Sequence, residues 1–333
     1  MIIKLGLIFL FSFAISLFFI RFFIRLAWKY KLGKIHENFS GRKITVSSLG
    51  GLGIFLTLFI ILIFNFPITQ SRIIQGVLIG GVLTFLVGFL DDRIELLPPV
   101  KIFFQFLAAL ILIRFGVRID ITYLPNVLNL VLTVVWIVII TNALNLLDIM
   151  DGLCGGLAFI IAFAFFILGF VGNNFFGAAA AICLAGSLLA FLGYNFPPAK
   201  IFLGNSGSLF LGFIFSALAI SLKYAPEGKY VALLTPMLIL ALPFYDTFFV
   251  MLMRLFKGKS VFLKTKDHLA MRFVAKGYSE KSTLFRMFML SVVLAAGAIL
   301  ISFTSDLIGL FFLGFLLIFL GILTKKMCTV KVK

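Results

Sequence analysis

The chain has 333 residues, of which 62% are hydrophobic and 44 are phenylalanine, and its mean hydropathy is +1.21. Only 12% of the residues are charged, yet 29 Lys and Arg against 12 Asp and Glu leave a net charge of +17. This composition excludes a soluble globular domain, and the positive charge suits an anionic membrane leaflet and anionic ligands better than nucleic acid, for which no module is visible.

An apolar run of about 20 residues spans a bilayer as a helix, and no alternation of the β-barrel kind is visible. Eleven runs predict spans near 5–27, 46–66, 72–90, 99–116, 123–142, 153–171, 174–193, 206–222, 230–253, 283–303 and 305–324. The expected fold is an all-α integral membrane protein with about eleven transmembrane helices, forming one multi-pass domain over 1–333. Arg21 and Arg25 follow the first run, only Lys4 precedes it, and no small-residue cleavage site comes after. It reads as an uncleaved helix with its N-terminus outside. The loops then facing the cytoplasm hold 20 of the 29 basic residues and the outer segments 6, which satisfies the positive-inside rule and puts the C-terminus in the cytoplasm. Cys154, Cys183 and Cys328 have no metal-like spacing and predict neither a disulfide nor a zinc site.

The polar positions follow in chain order. In the first inner loop His36, Arg42 and Lys43 precede Gly50, Gly51 and Gly53; basic groups beside a glycine-rich helix start can hold phosphate, or can simply mark the inner face. The second inner loop opens with Asp91 and Asp92 at a helix C-terminus, where negative charge is unfavourable by several tenths of a kcal/mol. A divalent cation would remove that penalty. Lys101 and Gln105 share a helix face behind Pro98 and Pro99, with a snorkelling lysine as the plain alternative.

The stretch Thr141–Gly156, TNALNLLDIMDGLCGG, carries Asn142, Asn145, Asp148 and Asp151 at i, i+3 spacing. On a helix these share a face, and two carboxylates so close repel unless a cation lies between them; helix capping is the alternative. Gly204, Asn205, Ser206, Gly207 and Ser208 open the eighth span, where free N–H groups attract an anion or where Asn205 or Ser206 acts as a simple cap. Asp246 lies inside the proline-broken ninth span, a functional position by default, with Arg254 as a structural partner. The long basic loop that follows contains Lys266, His268 and Arg272. All these groups fall on the predicted cytoplasmic side, which points to phosphoryl chemistry at the membrane surface, commonly with Mg²⁺.

Taken together, LDDR with Lys101 and Gln105, NALNLLDIMDGL, FLGNSGSLFLGF, Pro243 with Asp246-Thr247, and Asp267-His268-Leu269 resemble, over nearly the whole chain, the polyprenyl-phosphate N-acetylhexosamine-1-phosphate transferases of glycosyltransferase family 4. The resemblance implies transfer of a sugar 1-phosphate from a UDP-N-acetylhexosamine to a polyprenyl (undecaprenyl) phosphate in the cytoplasmic membrane, with release of UMP. It implies a catalytic set of Asp91 and Asp92 beside the lipid phosphate, Asp148 and Asp151 beside the nucleotide, and His268. Substrate contacts are expected from Lys101, Asn142, Gly204, Ser206, Gly207 and Arg272. The metal, Mg²⁺ with Mn²⁺ as the alternative, falls to Asn145 and Asn205. The family plan also leaves room for a homodimer. Three departures stand out: Asn205 replaces the usual Asp, one histidine remains of His-Leu-His-His, and the first loop lacks prolines before its glycines. The missing prolines and histidines favour the branch that begins O-antigen, teichoic acid or related wall polymers over the pentapeptide-bearing peptidoglycan branch. A transporter of lipid-linked sugars is the reading from a different class.

Overall fold

The computed structural model describes residues 1–30, 34–37, 43–67, 71–222, 224–225, 229–258 and 267–330, with the backbone alone for 34–37 and 43–45. Arg42 and Lys266 lie outside the described residues, as do the side chains of His36 and Lys43. Two compact units emerge, Met1–Leu222 and Lys223–Lys333.

The first unit begins with α1 (Ile2–Tyr30), followed by an antiparallel ribbon of β1 (Lys34–Glu37) and β2 (Lys43–Val46) in which Lys34 faces Val46. Then come α2 (Gly50–Asn65), α3 (Arg72–Ile94), α4 (Pro98–Arg114), α5 (Asn126–Leu146), α6 (Leu153–Val171), α7 (Phe175–Asn195) and α8 (Gly204–Ser221). Local signals explain several ends. Prolines occupy the first turn of α4, where a missing N–H costs nothing. The Asn174 side chain accepts from Gly177 N at 2.9 Å and starts α7. Gly152 enters α6 with a φ of 76°, a left-handed conformation that glycine adopts without strain.

Helix α8 lies at the centre of this unit, packed on α2, α3 and α5. Glycines set these approaches. A methyl group on Gly88 of α3 would come within 2.4 Å of the Asn205 carbonyl oxygen, one on Gly51 within 2.4 Å of the Gly207 backbone, and one on Gly212 within 2.6 Å of Thr141 Cα. Segment 47–51 runs beside 201–203, with Phe202 N donating to Ser47 O at 2.8 Å, Gly50 N to Phe202 O at 2.9 Å and Gly51 N to Leu203 O at 3.0 Å.

The second unit contains a 3₁₀ turn (Val231–Leu234), α9 (Thr235–Ile239), α10 (Ala241–Phe256), α11 (Leu269–Ala275), α12 (Glu280–Phe303) and α13 (Asp306–Cys328). The helical path bends by 73° between Val231–Ile239 and Ala241–Phe256. Pro243 is the cause, because it has no N–H for the Ile239 carbonyl and its ring crowds that oxygen.

Every one of the eleven predicted segments falls on a helix. Among the described residues, eight of these helices are long and apolar enough to cross a membrane, or nine if the bent pair is one span. The two remaining segments correspond to α2, with 16 residues, and α4, with 17, each short of the usual length for a straight crossing. The chain is therefore a multi-pass membrane protein with an essentially all-helical fold.

Candidate active site

The end of α3, the turn between α5 and α6 and the first turn of α8 bring the acidic and carboxamide residues of the first unit together. Asp92 is 8% exposed and reaches across to α8. Its Oδ1 accepts the N–H of Asn205 at 2.9 Å and its Oδ2 that of Ser206 at 3.1 Å. A carboxylate on the free N–H groups and positive dipole end of a helix is a favourable pairing. Gly204 fits beneath it with a φ of 76°, where a methyl group would come within 2.7 Å of Asp92 Oδ2.

Asn145, from the last turn of α5, donates through Nδ2 to Asn205 Oδ1 at 2.8 Å and to Ser208 Oγ at 2.9 Å. With the nitrogen committed to α8, Oδ1 is the Asn145 atom available to a ligand. Asp148 follows in the turn between α5 and α6, half-buried. Burial pushes its carboxyl up to about 7, the negative charges of Asp92 and Asp151 push in the same direction, and a hydrogen bond from the Gly204 backbone opposes them. Asp151 Oδ2 accepts from Ala199 N at 3.0 Å. Beside it Asn195 accepts from Gly152 N at 2.9 Å and donates to Ile201 O at 2.8 Å. Asn195 thus ties the acidic turn to the approach of α8, a role the sequence reading did not assign; its one visible signal is a polar residue at the end of an apolar helix.

The flanking residues have other attachments. Asp91 accepts from Leu96 N at 2.8 Å and from Lys101 Nζ at 3.0 Å, so it closes the α3–α4 turn and pairs with the lysine expected at the lipid headgroup. Asn142 and Gln105 form a reciprocal amide pair of 2.5 and 3.3 Å that joins α5 to α4. Ser206 is 2% exposed with its N–H on Asp92, and Gly207 meets Gly51. Gly204, Ser206 and Gly207 accordingly shape the pocket through the backbone. The free N–H groups expected here are already taken, in two cases, by the protein's own carboxylate.

In the second unit Asp246 pairs with a different residue from the one anticipated. Its Oδ2 lies 2.7 Å from His268 Nδ1 and its Oδ1 accepts from Leu269 N at 2.6 Å. Both residues are buried. A carboxylate on Nδ1 fixes the orientation of an imidazole and leaves Nε2 as its working atom. Arg272, expected as a substrate contact, is 1% exposed. Nη2 bonds Asp267 Oδ1 at 2.9 Å, Nε bonds Asp267 O at 3.2 Å, and Nη1 bonds Met327 O and Val330 O at 2.6 and 2.8 Å. Burial raises the Asp267 carboxyl, but Lys257 and Arg272 outweigh it and hold it below the ordinary carboxylate range. Arg272 is thus an anchor for the end of α13.

Among the described residues no group of three His, Cys, Asp or Glu side chains is gathered tightly enough to hold an ion unaided. Mg²⁺ seldom needs that; it commonly takes one or two carboxylates and completes its shell with water and substrate phosphate oxygens. The pocket fits such an ion, because its donors are hard oxygens and both charges acting on Asp148 are negative.

The fold and this pocket define a multi-pass membrane protein with an anionic, carboxamide-lined site where several spans end. The glycosyl transferase family 4 model matches residues 74–223, which contain the whole pocket of the first unit. The chain is 28% identical over 300 residues to a probable undecaprenyl-phosphate N-acetylglucosaminyl 1-phosphate transferase of Bacillus subtilis, covering 88% of this chain and 82% of the relative. It is 30% identical over 285 residues to the decaprenyl-phosphate N-acetylglucosaminephosphotransferase of Mycobacterium tuberculosis, covering 75% and 70%. A phospho-N-acetylmuramoyl-pentapeptide-transferase of Heliobacterium modesticaldum is 32% identical over 201 residues, covering 54% and 61%. The chain belongs to glycosyl transferase family 4.

Proposed function

We propose that this chain transfers N-acetylhexosamine 1-phosphate, with N-acetylglucosamine as the favoured sugar, from a UDP-sugar to a membrane polyprenyl phosphate. The products are polyprenyl-diphosphate-sugar and UMP, and the reaction begins a cell-envelope polysaccharide at the cytoplasmic face. The observation that carries this reading is Asp148 beside Asp92, Asp151 and the Asn145–Asn205 pair, all within the family-matched segment. The match to N-acetylglucosaminyl 1-phosphate transferases covers more of the chain than the match to the pentapeptide transferase, which favours the wall-polymer branch. The skew of basic residues between loops supports an eleven-span chain with its N-terminus outside.

In the reaction a lipid phosphate oxygen bonds to the β-phosphorus, the bridging bond to the α-phosphate breaks, and UMP departs with its electron pair. A bound Mg²⁺ would supply charge neutralisation on the diphosphate, held by Asp148, Asn145 Oδ1 and Asn205. Lys101, paired with Asp91 at the start of α4, attracts the lipid phosphate. Asp92 holds the α8 turn against the metal ligands. Both oxygens of Asp91 and both of Asp92 already accept hydrogen bonds, which weighs against either of these two as the nucleophile of an aspartyl-phosphate route. Asp246 orients the His268 ring for proton or phosphate contacts through Nε2. The test is UMP release from purified protein given UDP-N-acetylglucosamine, undecaprenyl phosphate and Mg²⁺. Release that does not depend on the lipid phosphate would overturn the reading.

A further inference from the structure

At the other end of α3 and α4 lies a cavity of about 450 Å³ lined by Arg72, Arg114, Arg118, Phe115 and Asp120 among others. Arg72 opens α3 and Asp92 lies 20 residues along the same helix, so the cavity and the carboxylate pocket are separated by about 30 Å, one hydrocarbon thickness. Three arginines and one aspartate line it. Neither Arg72 nor Arg114 has an ion-pair partner among the described residues, while Arg118 donates to Asn126 Oδ1 at 3.2 Å.

The wall of the cavity is built into the fold. Gly116, with a φ of 90°, ends α4, and Val117 N returns to Leu112 O at 2.9 Å, the reversal that ends many helices. The chain therefore folds Arg118 back beside Arg114. Two buried side chains of α5 then fix the strand of loop that follows. Thr133 Oγ1 accepts from Ile119 N at 2.9 Å, and Asn129 accepts from Ile121 N and donates to Ile121 O, both at 3.2 Å. Ile73 and Leu110, exposed apolar residues on the flanks of α3 and α4, carry the hydrocarbon surface up to the rim.

We propose that this cavity binds a phosphate group at the membrane face opposite the carboxylate pocket. Guanidinium groups match phosphate oxygens in a planar, two-pronged geometry, and basic pockets at the ends of spans take the headgroups of anionic lipids. The ligand chemistry is an oxyanion of phosphorus, presented by a phospholipid headgroup or as free phosphate, and the site makes no use of the transferase reading.

Native mass spectrometry of the detergent-released protein titrated with phosphatidylglycerol, phosphatidylcholine or inorganic phosphate reads occupancy without reference to activity. Phosphatidylglycerol should bind more tightly than phosphatidylcholine, and Arg114→Gln and Arg118→Gln should each weaken it about fivefold. Asp120→Asn should tighten it by a similar factor, a gain that a misfolded variant cannot give. Displacement of phosphatidylglycerol by inorganic phosphate would support the phosphate site with a soluble source. Affinities unchanged in all three variants would overturn the proposal.

Discussion

Asp92 and Asn205 are 113 positions apart in the chain, yet the carboxylate of the first accepts the backbone N–H of the second at 2.9 Å. The bond joins the end of α3 to the start of α8, so one carboxylate supplies pocket charge and holds a second pocket residue in place. Replacing it with an amide removes both effects. Asp92→Asn should lower turnover by at least about two orders of magnitude and, by presenting an NH₂ group to a buried N–H, destabilise the protein by about 1–3 kcal/mol. Turnover in detergent micelles with thermal unfolding alongside checks both, and full activity would remove Asp92 from the site.

The Asp148 carboxyl titrates near 3.8 when the chain is unfolded and near 7 in the folded protein. Between those values the folded state keeps a proton that the unfolded state has lost, so stability falls as pH rises from about 4 to about 7 and is level above that. The shift bounds the effect at about 4 kcal/mol. In the presence of a chelator, wild type should lose more thermal stability than Asp148→Asn between about pH 5 and pH 8. Parallel profiles would show that Asp148 is an ordinary acid.

Asn205 Oδ1 already accepts from Asn145, and a carboxylate there could accept in the same way while attracting a cation more strongly. Asn205→Asp should therefore lower the Mg²⁺ concentration for half-maximal activity and Asn205→Ala should raise it. Coincident Mg²⁺ curves for the three proteins would end the metal-ligand assignment and leave Asn205 as a purely structural residue.

For Arg272 the structure changes the expectation. Arg272→Met strips Asp267 of one of its partners and the Met327 and Val330 carbonyls of a donor, so it should destabilise the protein by about 1–3 kcal/mol. Arg272→Lys should rescue little, since an ammonium cannot reach partners on both sides. A variant of normal stability with a raised KM for the UDP-sugar would instead restore Arg272 as a substrate contact.

Gly88→Ala adds one methyl group where the Asn205 carbonyl lies 2.4 Å away. Overpacking of this kind costs about 1–3 kcal/mol; here it should also reduce activity by moving the α8 turn, although no polar group is changed. Unaltered kinetics would mean that the turn tolerates displacement.

Long apolar runs in the sequence revealed the helices because hydrocarbon thickness imposes a length on each span, and Pro243 marked the break between α9 and α10 in advance. Asn145 and Asp148 were legible as a pair through their i, i+3 spacing, and Asn205 through its place in the glycine-rich FLGNSGSLFLGF segment that carries the family resemblance. What the sequence hid were attachments made over long separations. Nothing local tells that Asp92 will cap α8, that His268 rather than Arg254 will face Asp246, or that carbonyls 55 and 58 positions away will claim Arg272. The β1–β2 ribbon also escaped notice, because four-residue strands leave too short an alternation to stand out beside spans of twenty.

The glycine contacts of α8 bear on rigidity as well. Where a methyl group at Gly51, Gly88 or Gly212 would already collide with backbone, α8 meets α2, α3 and α5 main chain to main chain. No side chain stands between the helices at these points to be turned aside, so α8 is held there by contacts that no rotamer change can loosen.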